Sequence, residues 1–230
     1  VVGCGHWGKN LVRNFAELGV LCTVSDPNVE LAQKYAAQYC AKNESFSEVI
    51  NDKNIKGVVL AVPVPLHASM AIDALNAGKH VFVEKPLAMN QAEAELMIAS
   101  SQKNNVHIMV GHLLQYHPIF VAARKMVKLE EIGDLQYIYS NRLSYGKLRS
   151  EEDVIWSFAP HDISMILSLV GQEPNLVKTK STNIVQKDIA DIATLHMEFS
   201  SGLKAHISVS WLHPYKEQKL VVIGETGMIV

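Results

Sequence analysis

The stretch Val1-Val2-Gly3-Cys4-Gly5-His6-Trp7-Gly8-Lys9, with Ser25-Asp26-Pro27-Asn28 further on, decides how this chain reads. An apolar strand end runs into G-x-G-x-x-G, and a segment of helical periodicity, Lys9 to Leu18, starts directly after the third glycine. Each glycine answers a separate physical need. Gly3 permits the tight turn, Gly5 lets a pyrophosphate approach the backbone with no Cβ in the way, and Gly8 lets helix and strand pack closely. The helix start then offers unpaired N–H groups to phosphate oxygens. Asp26 stands 18 residues beyond Gly8, at the end of the second strand candidate, where a carboxylate accepts from ribose hydroxyls. It also repels the extra phosphate of NADP, and no arginine follows it, so NAD is the expected cofactor. A helix cap ahead of Pro27, worth roughly 1 kcal/mol, is a compatible second role for Asp26. His6 and Trp7 either touch the cofactor or pack the turn, and packing is the simpler reading.

Working outward, the strand candidates are apolar on both faces: Val20–Ser25, Gly57–Val62, His80–Val83 and His107–Val110. Between them lie helix candidates Val29–Tyr39, Leu66–Asn76 and Asn90–Asn104, with Gly19 and Gly78 placed as helix-terminating residues. Strands buried on both faces and alternating with helices predict a doubly wound parallel α/β sheet over residues 1–118. After Pro118 the pattern changes. A helix over Ile119–Leu129 precedes strands at Gln136–Arg142, Leu176–Asn183, Ile192–Phe199, Leu203–Trp211 and Lys219–Ile223, with one apolar helix over Asp162–Val170. Residues 119–230 therefore read as an α+β domain, joined to the first without a Gly/Ser linker and without internal repeats.

Composition narrows the function classes. Of 230 residues, 48% are hydrophobic and 19% charged, and 21 Lys+Arg against 23 Asp+Glu leave a net charge of -2. That balance gives no field to attract nucleic acid or an anionic membrane. The longest nearly uncharged run, Gly57–Leu66, contains two prolines and is about half of what a membrane span requires. Three cysteines without C-x-x-C spacing suggest neither disulfides nor zinc and point to a reducing cytoplasm. His196, His206 and His213 come with no convincing ligand set, so no metal is expected. The chain opens directly on Val1-Val2, with no initiator Met or signal-peptide pattern, and stops within a strand at Val230, so both ends read as clipped.

A second constellation lies at the ends of the third and fourth strands: Pro63-Val64-Pro65-Leu66-His67 and Glu84-Lys85-Pro86. Ligands of open parallel sheets collect at carboxyl strand ends, so both fall on the cofactor edge, and Pro86 is expected to hold Lys85 extended. By residue type alone, Lys85 is a site residue or a surface lysine paired with Glu84 in equal measure. Gly3 to Gly8, Pro63-x-x-x-His67, Ala77-Gly78-Lys79-His80-Val81-x-x-Glu84-Lys85-Pro86-Leu87 and Val110-Gly111 together resemble the Gfo/Idh/MocA oxidoreductases. The resemblance covers nearly the whole chain. It implies a Rossmann domain followed by a mixed, mainly antiparallel sheet, a homo-oligomer, and Lys85 beside nicotinamide and a substrate hydroxyl. Gly3, Gly5, His6, Trp7, Gly8, Asp26, Pro63, His67, Glu84 and Lys85 are the expected cofactor contacts, with His67 shaping the pocket.

The same resemblance implies an aspartate and, four residues later, a histidine at the start of a helix. His161 fits the histidine, but Ser157 stands at the aspartate's position, so the lysine–aspartate–histidine relay is incomplete and Asp162 is a candidate substitute or merely a helix N-terminal carboxylate. Leu113 and Gln115 stand where many members have Asn and Arg, which implies different substrate contacts. An ordinary lysine must give up about 4 kcal/mol of preference for its charged form to act as a base near neutrality, whereas an imidazole already titrates there. His161 is therefore the favoured acid/base, with Lys85 the charged or relay partner of the developing alkoxide; Lys85 as the base, its charge opposed by burial and by the positive nicotinamide ring, is the competing reading. Trp156–Leu167, Lys187–Asp191 and Ser210–Pro214 resemble a bacterial branch linked to nucleotide-sugar modification, nearest to UDP-N-acetylglucosaminuronate 3-dehydrogenation. This implies oxidation of a ring hydroxyl on a sugar or nucleotide-sugar acid; Arg142, Lys147 and Arg149 either offer charge to such an acidic substrate or belong to a solvated loop, in equal measure. A free-sugar or inositol dehydrogenase and a silent NAD-binding sensor or scaffold are the alternatives.

Overall fold

The computed structural model describes residues 1–145, 148 and 152–230. Two compact units divide the chain, Val1–Gly111 and His112–Val230. Sequence places the change of architecture at 118, where Pro118 opens a helix; the contact division falls a few residues earlier.

In the first unit the opening residues run between two strands. Ser25 N–H donates to Val1 O and Gly3 N–H to Ser25 O on one side, while Val2 N–H donates to Val59 O and Ala61 N–H to Val2 O on the other. Across the layer the order is β2 (Lys42–Asn43), β1 (Thr23–Val24), residues 1–3, β3 (Gly57–Leu60), β4 (His80–Val83) and β5 (Ile108–Val110), all parallel. The chain therefore winds both ways from its opening strand, and the loops leaving that strand and β3 part at this switch point, where such sheets bind ligands.

Helices α1 (Gly8–Glu17), α2 (Val29–Gln38), α4 (His67–Asn76) and α5 (Gln91–Lys103) lie within a residue or two of their sequence-predicted bounds. Asn28 and Asn90 cap two of them by accepting from Leu31 N–H and Glu93 N–H. The segments β2 and α3 (Phe46–Asn51) escaped the sequence reading, although Ser45-Phe46-Ser47-Glu48 forms a complete capping box. The strand expected over Val20–Ser25 shrinks to Thr23–Val24. Val2, Val58, Leu60, Leu75, Val81, Val83 and Met97 form the main core of this unit.

The second unit is one six-stranded sheet in the order β11 (Met228–Ile229), β10 (Leu212–Gly224), β6 (Leu135–Tyr145), β9 (Lys204–Ser210), β8 (Ile192–Glu198), β7 (Leu176–Thr182). Among the described residues of this sheet only β6 and β9 run parallel, so the expectation of a mixed, mainly antiparallel sheet holds. Helices α6 (Pro118–Lys128) and α7 (Val154–Val170) share its core through Phe120, Ile138, Val154, Ala159, Ile166, Leu195, Ile207 and Trp211.

Helix α7 corrects the sequence reading, which began it at Asp162. Asp153 caps it, accepting from Trp156 N–H at 3.0 Å, and Gly171 at φ 72° ends it. Pro160 sits inside the helix, because a buried stripe at Val154, Ser157, Ala159, Asp162, Met165, Ile166 and Leu169 outweighs the one amide it cannot supply. Among the described residues no helix is long and apolar enough to cross a membrane.

Candidate active site

The phosphate loop is rigid where rigidity is needed and bare where a ligand would approach. Gly3 has φ +89°, and a Cβ there would lie 2.5 Å from the carbonyl oxygen of Ala61; a Cβ on Gly8 would lie 2.0 Å from that of Gly3. A Cβ on Gly5 would meet no atom of the described residues within 4 Å, its chain neighbours aside. The fold itself thus requires two of the three glycines. The third keeps open the space that a pyrophosphate needs at a helix start, so the residues present fit a dinucleotide.

Asp26 ties this loop to the end of β1. Its Oδ2 accepts from Cys4 N–H at 2.6 Å and its Oδ1 from Asn28 N–H at 2.8 Å, leaving each oxygen a further lone pair for a hydroxyl. The cap of α2 belongs to Asn28, with Asp26 one step behind it. Burial first, and the Asp26 charge second, push the Cys4 thiol up to about 11, so it is an inert buried thiol.

Lys85, half-buried after β4, is flanked by two side-chain ties from other strand ends. On one side Trp7 Nε1–H donates to Glu84 Oε1 at 2.7 Å, and Glu84 Oε2 accepts from Lys85 N–H at 3.3 Å. On the other, His67 is 1% exposed, with Nδ1 2.8 Å from Pro86 O and Nε2 2.9 Å from Val62 O. His67 thus binds the loop after β3 to the loop after β4 from within the core. Pro63, exposed, precedes the short 3₁₀ turn Val64–Leu66 that leads into α4. The Lys85–Pro86 peptide is cis. Gly111 completes the group, since a Cβ there would lie 2.9 Å from Glu84 Oε1. The sequence showed these residues to share a sheet edge. It carried no signal for the backbone carbonyls of Val62 and Pro86, which are the partners of His67. His6 and Trp7 are both exposed, so packing of the turn is not what occupies Trp7; its indole N–H is held by Glu84.

In the second unit His161 lies half-buried in the middle of α7, not ahead of it. Ser157, one turn earlier, is buried. Asp162 is neither a helix-terminal carboxylate nor available to a relay. It is 1% exposed and held by Arg142, with Nε 2.6 Å from Oδ2 and a second guanidinium nitrogen 3.2 Å from Oδ1, while Ser140 Oγ–H donates to Oδ1 at 2.5 Å. Arg142, read from sequence as either a charge for an acidic substrate or part of a solvated loop, is instead buried and committed to this fork. Lys147 and Arg149 lie outside the described residues. Among the described residues no group of three or more His, Cys, Asp or Glu could hold a metal ion.

Comparison with known proteins agrees with both halves. Residues 1–112 match the family described as "Oxidoreductase family, NAD-binding Rossmann fold", and residues 120–230 match the GFO/IDH/MocA C-terminal domain. UDP-N-acetylglucosamine 3-dehydrogenase of Acidithiobacillus ferrooxidans is 30% identical over 212 residues, covering 91% of this chain and 66% of that protein. The chain thus spans just under two thirds of that relative's length. The solved structure of that enzyme superposes with a TM-score of 0.89 at 27% identity, over 97% of this chain and 73% of the other. Inositol 2-dehydrogenase of Salmonella typhimurium is 26% identical over 99% of this chain and 71% of its own length. The WlbA dehydrogenase of Bordetella pertussis, solved with NADH and UDP-GlcNAcA, has the same fold, with a TM-score of 0.90 at 22% identity over 99% of this chain and 71% of the other.

Proposed function

Because this chain belongs to the Gfo/Idh/MocA oxidoreductase family, we propose that it is an NAD-dependent dehydrogenase acting on a ring hydroxyl of a nucleotide sugar or its uronic acid. One observation carries the reading. The loops leaving three neighbouring parallel strands are tied together around Lys85 beside a glycine loop whose Gly5 position is kept open. Gly3, Gly5, Gly8 and the start of α1 would hold the pyrophosphate, and Asp26 the ribose hydroxyls. Bound there, NAD supplies the hydride acceptor.

The residues divide the remaining work by their ordinary protonation chemistry. His161 takes the hydroxyl proton, since an imidazole does so near neutrality without a large cost. Lys85 stays charged and stabilises the oxygen as negative charge develops. Ser157 can orient a neighbour through a hydrogen bond but carries no charge, so the imidazolium forms here without a carboxylate at that position. Asp162 does not replace it, because its oxygens serve Arg142 and Ser140.

The A. ferrooxidans enzyme named for a UDP-sugar supports the nucleotide-sugar reading. A second reading, an inositol or free-sugar dehydrogenase, is favoured by the inositol 2-dehydrogenases that match almost the full chain. Offering UDP-N-acetylhexosamines, their uronic acids, free sugar acids and inositols while following NADH absorbance decides between them. Reduction with UDP-linked substrates alone is the expected result. Reduction with inositols alone transfers the assignment to the second reading. NAD binding without reduction on any of them makes the chain a silent sensor, as the serine at 157 would allow.

A further inference from the structure

We propose that Trp7 and Glu84 are positioning residues that couple occupancy of the phosphate loop to the setting of Lys85; the inference rests on the dinucleotide reading of that loop. Trp7 is the residue from which α1 starts, and no side chain caps that helix end. Trp7 is 44% exposed, so water reaches much of the residue and little packing holds it. What holds it is a charge-assisted hydrogen bond from Nε1–H to Glu84 Oε1 at 2.7 Å, across 77 residues of sequence.

Glu84 cannot swing away freely. Its amide donates to Leu60 O at 3.0 Å, and its carboxylate lies against Gly111, where the lack of a Cβ makes the room. Its second oxygen accepts from the Lys85 amide. Beyond Lys85, Pro86 O is pinned by the buried His67. Lys85 therefore sits between a fixed point, Pro86, and a point whose carboxylate is bonded to the phosphate loop.

A ligand that engages the N–H groups at the start of α1 acts on the backbone of Trp7 itself. Any shift there reaches the Lys85 backbone through two hydrogen bonds. The coupling is reciprocal, so the setting of Lys85 also feeds back on affinity at the loop.

ADP-ribose tests this, because it carries the adenosine and pyrophosphate of NAD without the nicotinamide ring that would cover Lys85. In the full chain, the rate of Lys85 modification by an amine-reactive reagent is read by peptide mass spectrometry with and without saturating ADP-ribose, and binding is followed by calorimetry. The unaltered protein should respond by about threefold or more, and Trp7→Phe, which keeps an aromatic ring but loses the N–H donor, by less than about 1.5-fold while still binding. Glu84→Ala, which removes the acceptor instead, should lose the response in the same way and serves if Trp7→Phe fails to fold. An equal response in a variant that binds, or none in the unaltered protein despite binding, overturns the coupling alone. Failure of the unaltered protein to bind ADP-ribose overturns the dinucleotide reading and the coupling with it.

Discussion

Gly5 and His161 are single positions at which the proposed function can be tested. Gly3 and Gly8 are demanded by backbone atoms 2.5 Å and 2.0 Å from where a Cβ would be, whereas Gly5 faces open space. Gly5→Ala should leave the melting temperature within about 2 °C of the unaltered protein while weakening NAD by about tenfold or more. A thermal melt beside a fluorescence titration checks both. Gly8→Ala should fail in both measurements, because the clash is with backbone. His161→Ala should lower turnover at least about tenfold with NAD affinity nearly unchanged, by removing the proposed general base, since such a group typically supplies 10²-fold or more. Comparable turnover in that variant removes His161 from the chemistry. The glycines, Asp26, Lys85 and His161 were all legible as residue types in sequence. What each one touches was not. The partners of His67 are two backbone carbonyls, and a carbonyl has no letter in a sequence.

Helix α7 shows how an element can hide behind one residue. The sequence reading began it at Asp162, yet the cap at Asp153 and the buried stripe through Ser157 and Ala159 carry the helix across Pro160 from Val154 onward. The stripe was in the sequence, but a proline's local cost of about 3 kcal/mol can be weighed against burial only once the opposing sheet is known. Asp162 in this helix and Arg142 on β6 form a buried fork whose two halves have unequal consequences. Asp162→Leu alone should destabilise by about 3–5 kcal/mol, because it leaves the guanidinium charge without its counterion. The double variant Arg142→Met with Asp162→Leu should recover most of that loss, since two apolar side chains fill the volume without a stranded charge. Denaturant titrations of the two single variants and the double complete the cycle. A double variant no more stable than the singles would mean that the pair does more than neutralise itself.

For the whole chain, acid should act at the open face of the second sheet. There His206 stacks on Tyr139 at 5.4 Å, contacts the Tyr137 hydroxyl through Nδ1 at 2.8 Å and lies 5.9 Å from His196. Burial, and then the charge of His196, hold its pKa below the ordinary 6.5. The unfolded chain therefore binds this proton more tightly than the folded one. The stability due to a neutral His206 is complete above about pH 6.5 and is lost as pH falls from there toward its folded value. His206→Gln should flatten that part of the pH–stability curve measured by thermal melts. An unchanged curve would assign the acid sensitivity elsewhere. Asp191 acts lower on the scale. Burial raises its pKa, but hydrogen bonds from Val185 and Ile184 N–H outweigh burial and hold it below 3.8, so its contribution disappears only as pH falls through that lower range.

By itself the sequence determined the alternation of strands and helices, the change after Pro118 to an α+β domain and the glycine loop with its carboxylate. All of these follow from local periodicity and from residues whose backbone freedom or charge is intrinsic. The tertiary structure alone decided that Asp162 and Arg142 satisfy each other, and that Trp7 is held by Glu84 and His67 by two loops. These are pairings between residues 20, 77 and up to 19 positions apart. A polar side chain takes whichever partner the packed backbone brings within about 3 Å, and that distance exists only once the strands have been laid side by side.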